Sequence, residues 1–236
     1  MSTPAPGLVP APAAVLWDMD GTLVDTEPYW LEAERELVHA WGGTWSQEDG
    51  LQLVGQGLQS SALVFQSRGV GLSVTEIIDA LTDRVLEQIA VAVPWRPGAR
   101  ELLAEVRAAG IPTALVTMSI RRMADTIVAA LDDALGAAGF DLVVAGDEVE
   151  RPKPYPDAYL RAAELLGVPI GDCVAIEDSE PGVAAAVASG ATTVAVPFHV
   201  PLPPSPAYTL LADGLAGIRL DRLVAVHATA RAEATR

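Results

Sequence analysis

Five short apolar runs, each ending in polar residues or a turn, constrain this chain more than any other feature: Val15–Asp20, Thr113–Thr117, Leu142–Asp147, Val174–Asp178 and Thr193–Pro197. None of them alternates apolar with polar residues, so none has a wet face, and such strands suit a parallel sheet covered on both sides. Helical stretches lie between the later runs. Pro97-Gly98-Ala99 opens one that reaches about Ala109 and stops at Gly110, and others cover Arg121–Leu135, Pro156–Leu166 and Pro181–Ala188. This alternation predicts an α/β fold: a doubly wound, parallel, five-stranded Rossmann-like core with right-handed crossovers.

Residues 26–93 break the alternation. Apolar residues recur at helical spacing at Trp30, Ala33, Leu37 and Val38, again over Leu58–Phe65, and again at Ile77, Leu81, Val85 and Ile89. Turns rich in Gly and Ser separate these pieces and no strand is evident. The expected division is a disordered leader over residues 1–12, a core built from 13–25 and 94–236, and an inserted α-helical bundle over 26–93. After Val200 a Pro-rich loop, Pro201-Leu202-Pro203-Pro204, precedes one further amphipathic helix.

Half of the 236 residues are apolar, enough for a sizeable core, yet no run approaches the roughly 18 uninterrupted apolar residues of a membrane span. The leader carries no basic residue, unlike a secretory signal. A soluble, cytoplasmic protein is expected, and the single cysteine, Cys173, fits that compartment as a buried structural thiol. A net charge of −16 argues against nucleic acid and acidic membranes as partners. An anionic small molecule is still admissible, because one metal ion and one lysine reverse the sign locally. A monomer is expected, with an oligomer left open.

Ligands of open α/β sheets gather at the carboxyl ends of the strands. The first run ends in Asp18 and Asp20, the second in Thr117 and Ser119, the fourth in Glu177 and Asp178, and Lys153 follows the third. Singly, each has a bland reading as a turn residue, a helix cap or a surface lysine. Together, at successive strand ends, they suit a phosphate ester. Asp18 can act as nucleophile, splitting one hard displacement into two through an aspartyl-phosphate. Mg²⁺ held by Asp18, the Asp20 backbone carbonyl and Asp178 would remove the repulsion between carboxylate and phosphate. The Asp20 side chain can then serve as acid and base. Thr117 and nearby backbone N–H groups, with Lys153, would bind the phosphate oxygens.

The set Asp18-Met19-Asp20-Gly21-Thr22-Leu23-Val24-Asp25-Thr26-Glu27-Pro28, Thr117, Lys153-Pro154-Tyr155-Pro156-Asp157 and Glu177-Asp178-Ser179 with Gly182 resembles the haloacid dehalogenase-like (HAD) hydrolase superfamily. The helical insert resembles the cap of its β-phosphoglucomutase-like and sugar-phosphatase branch. The resemblance implies the same roles: Asp18 nucleophile, Asp20 acid/base, Thr117 and Lys153 phosphate ligands, and Asp178 metal ligand, with Glu177 a lesser candidate for the metal. Position 118, here Met118, would offer its backbone N–H.

Departures narrow the activity. The dehalogenases of the superfamily lack the second aspartate, and Asp20 is present. The mutases of this branch usually carry a histidine where this chain has Trp30, and an arginine in the segment that here reads Gly55-Gln56-Gly57-Leu58-Gln59-Ser60. Without that arginine a second phosphate is harder to hold, so a phosphatase acting on a small phosphorylated metabolite, a sugar phosphate, is expected. A mutase-type phosphotransferase and a non-catalytic phospho-ligand-binding regulator are the alternatives. Specificity is expected from Glu27, Trp30, Gln56, Gln59 and Ser60, although the helical spacing of Trp30 suits cap core equally well. Trp41 and Trp45 are assigned to packing in the cap, His39 to a surface or half-buried helix position, and Arg121 and Arg122 to solvated helix surface.

Overall fold

The structure, a computed structural model, describes residues 11–234. Most of the expected leader lies outside the described residues. The expected runs form strands β1 (Ala14–Trp17), β2 (Thr113–Val116), β3 (Leu142–Val144), β4 (Cys173–Glu177) and β5 (Thr192–Ala195). All neighbours are parallel, in the order β3-β2-β1-β4-β5-β6. The sheet therefore has six strands where five are expected. The sixth, β6 (Thr209–Leu210), pairs with Val194 and Ala195 after the Pro-rich loop. At two half-buried residues it has no apolar run to announce it; the open edge of β5 recruits it.

Helices α5 (Ala99–Ala108), α6 (Arg121–Leu135), α7 (Asp157–Leu166), α8 (Glu180–Ser189) and α9 (Leu220–Ala234) follow the strands. The side chains of β1 alternate between two buried faces. Val15 and Trp17 join Leu102, Ile127 and Leu223 on one, while Leu16 joins Val116, Tyr159 and Ala162 on the other. That double burial is why the strands read as continuous apolar runs.

Between β1 and α5 come four helices, α1 (Glu27–Ala40), α2 (Gln47–Leu51), α3 (Leu58–Ser67) and α4 (Val74–Val91). Ser46 with Asp49, and Ser73 with Glu76, form reciprocal capping boxes that start α2 and α4. The i, i+4 stripe of α4, Ile77, Leu81, Val85 and Ile89, is buried as its spacing predicts. Trp45 is buried against Phe65 with ring centroids 4.8 Å apart. Trp41 departs from its expected packing role: it lies over Gly71 but is 46 % exposed, because the turn after α1 carries it to the rim.

Two linkers join this insert to the sheet and run side by side. Asp25 N–H donates to Pro94 O (2.7 Å) and Arg96 N–H to Leu23 O (2.9 Å), with an antiparallel bridge between Val24 and Trp95.

Candidate active site

The carboxyl ends of β1, β2 and β4 bring Asp18, Thr117 and Asp178 to one edge of the sheet, and all three are buried. Lys153 arrives from the loop before α7. Its ammonium Nζ lies 2.6 Å from Asp18 Oδ1, 2.6 Å from Glu177 Oε1 and 3.0 Å from Val116 O. Burial alone would lower the Lys153 pKa, but the charges of Asp18 and Glu177 outweigh it and hold the ammonium above its ordinary value. Burial, then the charge of Glu177, pushes the Asp18 carboxyl up against the opposing pull of Lys153. Asp178 is pushed well up by burial and by Asp18. Three acids around one lysine are short of positive charge.

The shortage has a geometric counterpart. Carboxylate oxygens of Asp18, Glu177 and Asp178 lie within 4.8 Å of one another. Asp178 Oδ1 and Glu177 Oε2 are buried without a hydrogen-bond partner among the described residues. An all-oxygen donor set with orphaned acceptors fits a hard divalent cation such as Mg²⁺. The Asp20 carboxylate stands outside this group.

Asp20 instead heads a separate network. Its Oδ2 accepts from Ser119 Oγ (2.7 Å) and more weakly from Thr117 Oγ1 (3.4 Å). Its Oδ1 accepts from Thr26 Oγ1, the last residue before α1, with Trp30 Nε1 at 3.4 Å. Ser119, expected among the phosphate-binding residues, is thus bonded to Asp20, and its own N–H donates to Thr117 Oγ1 (3.0 Å). Met118 lines the cavity and its sulfur accepts from the Lys153 N–H (3.2 Å).

Two glycines make the close approaches possible. A Cβ on Gly21, whose φ is +84°, would stand 2.0 Å from Asp178 Oδ2, and one on Gly182 would stand 1.9 Å from Glu177 Oε2. Gly182 opens α8 under the Ser179 cap, so Glu177 is wedged between that helix start, Lys153 and the Tyr159 hydroxyl, which donates to its Oε1.

The insert closes over this edge and leaves a cavity of about 80 Å³. Glu27, Trp30 and Gln56 line it, as expected of specificity residues. Gln59 and Ser60 do not. They are exposed and border a separate cavity of about 260 Å³, because α3 starts at Leu58 and turns Leu58 and Ser61 toward the site instead.

Two lining residues escape the sequence reading. Glu34, one and a half turns beyond Trp30's neighbour Tyr29 on α1, is buried and accepts from Trp45 Nε1 (2.9 Å) through Oε2. His199 pairs through Nε2 with Asp25 Oδ1 (2.7 Å) in the linker. His199 stands in the loop after β5, beyond Val196, Pro197 and Phe198, so the strand-end rule that selects Asp18 points only to its neighbourhood. Nothing in the sequence marks Glu34, whose place depends on how α1 packs. His39 is exposed as expected. Arg121 pairs with Asp125 and Glu148, whereas Arg122 reaches Asp79 and Asp83 on α4, joining the insert to α6.

Fold and site together define an α/β enzyme with a carboxylate-centred active site at the carboxyl edge of its sheet. The chain belongs to the haloacid dehalogenase-like hydrolases, whose family model matches residues 12–190. The expectation of a phosphoric monoester hydrolase stands with that membership. The chain is 38 % identical over 192 residues to Protein CbbY of Rhodobacter capsulatus, covering 78 % of this chain and 85 % of that protein. It is 30 % identical over 200 residues to Hexitol phosphatase B of Escherichia coli (strain K12), covering 84 % and 86 %. Among solved structures, a mutant CbbY from Rhodobacter sphaeroides in complex with xylulose-(1,5)bisphosphate superposes with a TM-score of 0.75 at 32 % identity, covering 88 % of this chain and 99 % of that one.

Proposed function

We propose that this hydrolase is a Mg²⁺-dependent phosphatase that releases phosphate from a small phosphorylated sugar or polyol through an aspartyl-phosphate on Asp18. One observation carries the reading. Asp18 and Asp20, two residues apart, stand in different environments, the first paired with Lys153 in the acidic cluster and the second in a hydroxyl network outside it. Environments that separate two carboxylates are how one site runs nucleophilic and proton-transfer chemistry together.

An Asp18 oxygen attacks phosphorus while the bond from phosphorus to the ester oxygen breaks, and the protonated Asp20 carboxyl gives its proton to the departing oxygen. Asp20 then takes a proton from the water that cleaves the phospho-aspartate, returning Asp18 and inorganic phosphate. Lys153, Thr117 and the backbone N–H group at Met118 hold the phosphoryl oxygens. Asp18, Asp178 and the Asp20 carbonyl would hold Mg²⁺, with Glu177 as the further oxygen donor. The bound metal supplies charge neutralisation for the attack. Residues 26–93 act as a cap hinged at the paired linkers around Asp25 and Pro94, with the rest of the chain as core. The single cysteine and the absence, among the described residues, of a helix long and apolar enough to cross a membrane support a cytoplasmic setting.

Asp18→Asn is expected to cut phosphate release from p-nitrophenyl phosphate by at least about 10³-fold, since removal of a nucleophile is among the most costly active-site changes. EDTA is expected to abolish the wild-type rate and Mg²⁺ to restore it. Unchanged turnover in the variant would remove Asp18 as nucleophile, and EDTA-resistant turnover would remove the metal.

A further inference from the structure

Two acids stand among the mainly apolar insert residues that wall the cavity over Asp20. Glu27 opens α1 and Glu34 lies seven residues further along the same helix; both line the cavity, and Glu34 is 6 % exposed. Only Oε2 of Glu34 has a protein partner, Trp45 Nε1, among the described residues. The remaining carboxylate oxygen is an unfilled acceptor at the wall. Gly50 leaves room for the bonded oxygen, since a Cβ there would stand 3.0 Å from Glu34 Oε2.

Among the described residues Lys153 is the one lysine or arginine that lines the cavity, and its ammonium is already shared between Asp18 and Glu177. His199, the other side chain there able to carry positive charge, is paired with Asp25. Asp20, Glu27 and Glu34 line this one cavity of about 80 Å³, so a leaving group beside Asp20 lies close to both glutamates.

Resting on the phosphatase reading above, we infer that Glu27 and Glu34 set substrate choice. They hydrogen-bond the hydroxyls of an uncharged polyol leaving group and, where both are ionised, repel any leaving group that carries a second phosphate or a carboxylate. Juxtaposed like charges away from water discriminate strongly, and a site built of acceptors rewards hydroxyl donors. Monophosphorylated polyols are therefore substrates, and bisphosphates, the ligand class of the similar CbbY mutant, are rejected.

The test compares kcat/KM for sorbitol 6-phosphate and for fructose 1,6-bisphosphate with Mg²⁺ present at pH 9, where the carboxyls that burial pushes up to about 8 (Glu27) and about 7 (Glu34) are ionised, in wild type, Glu34→Gln and Glu27→Gln. The ratio between two substrates in one protein cancels any loss of folded enzyme. Wild type is expected to prefer the monophosphate by at least about tenfold, about 1.4 kcal/mol. Each glutamine variant is expected to shrink that preference at least threefold, chiefly through the KM of the bisphosphate. A wild type that prefers the bisphosphate, or a ratio that neither variant moves, overturns the inference while leaving the phosphatase reading intact. Wild type that fails even on p-nitrophenyl phosphate overturns both.

Discussion

Glu34 carries a carboxyl where an apolar interior disfavours its charged form. Burial, only partly opposed by the Trp45 hydrogen bond, pushes its pKa from 4.5 up to about 7. Between those values the folded protein keeps a proton that the unfolded chain has released. Stability therefore falls as pH rises from about 4.5 to about 7, and the loss is complete above that window. Glu34→Gln has no proton to lose. Its Tm relative to wild type is expected to improve between pH 5 and pH 8, by up to about 3 kcal/mol of unfolding free energy at 1.36 kcal/mol per tenfold. A Tm difference that stays flat across that range would show that Glu34 is not held away from water. At this scale the strand-end placement of Asp18, Asp20 and Asp178 is legible in the sequence, because a charged residue that ends an apolar strand is conspicuous, whereas Lys153, between prolines in the loop before α7, stands out only together with them. Glu34 is not legible, because an acid on an amphipathic helix looks the same whether its face meets solvent or a cavity.

Among the elements, Arg122 ties α6 to Asp79 and Asp83 of the insert away from the site, whereas other contacts between insert and core fall on chemistry. Thr26, at the start of α1, donates its hydroxyl to Asp20, so movement of the linker disturbs the proton-transfer carboxylate directly. Across the cleft, Gly55 has φ +73° and packs on the Ser179 cap of α8, where an added Cβ would lie 2.6 Å from Ser179 Oγ. Gly55→Ala is expected to cost about 1–2 kcal/mol for the left-handed backbone alone. It should also lift the loop from α8 and lower kcat/KM severalfold, read from steady-state kinetics beside a melting curve. Unaltered kcat/KM would mean that closure does not depend on this contact. Helix limits were predicted to within a residue or two, since Gly110, Gly167 and Gly190 end their helices in the sequence as they do in space. The sixth strand was missed because two residues of strand carry no period.

For the whole molecule the governing quantity is charge. A chain of net −16 concentrates three buried acids at one point, and folding must confine them there. A cation that binds only the folded state stabilises by about 2.7 kcal/mol at a hundredfold excess over its Kd. For a chain of this size that corresponds to roughly 5–10 °C in Tm. Mg²⁺ is expected to raise the melting temperature on that scale and EDTA to reverse it, measured by calorimetry; an unchanged Tm would argue that the acid cluster does not hold the ion. By itself the sequence determined the sheet, its parallel sense and the residues at its carboxyl edge, because apolar runs without alternation can be buried only between two layers and their ends must face the same way. Only the tertiary structure decided how the helical insert lies on that edge. That packing adds Thr26 and Trp30 to the partners of the Asp20 carboxylate, brings Glu34 to the cavity, and turns Gln59 and Ser60 away. The reason is physical: strand direction is written in local periodicity, whereas the docking of one helix layer on a sheet depends on contacts between residues far apart in the chain.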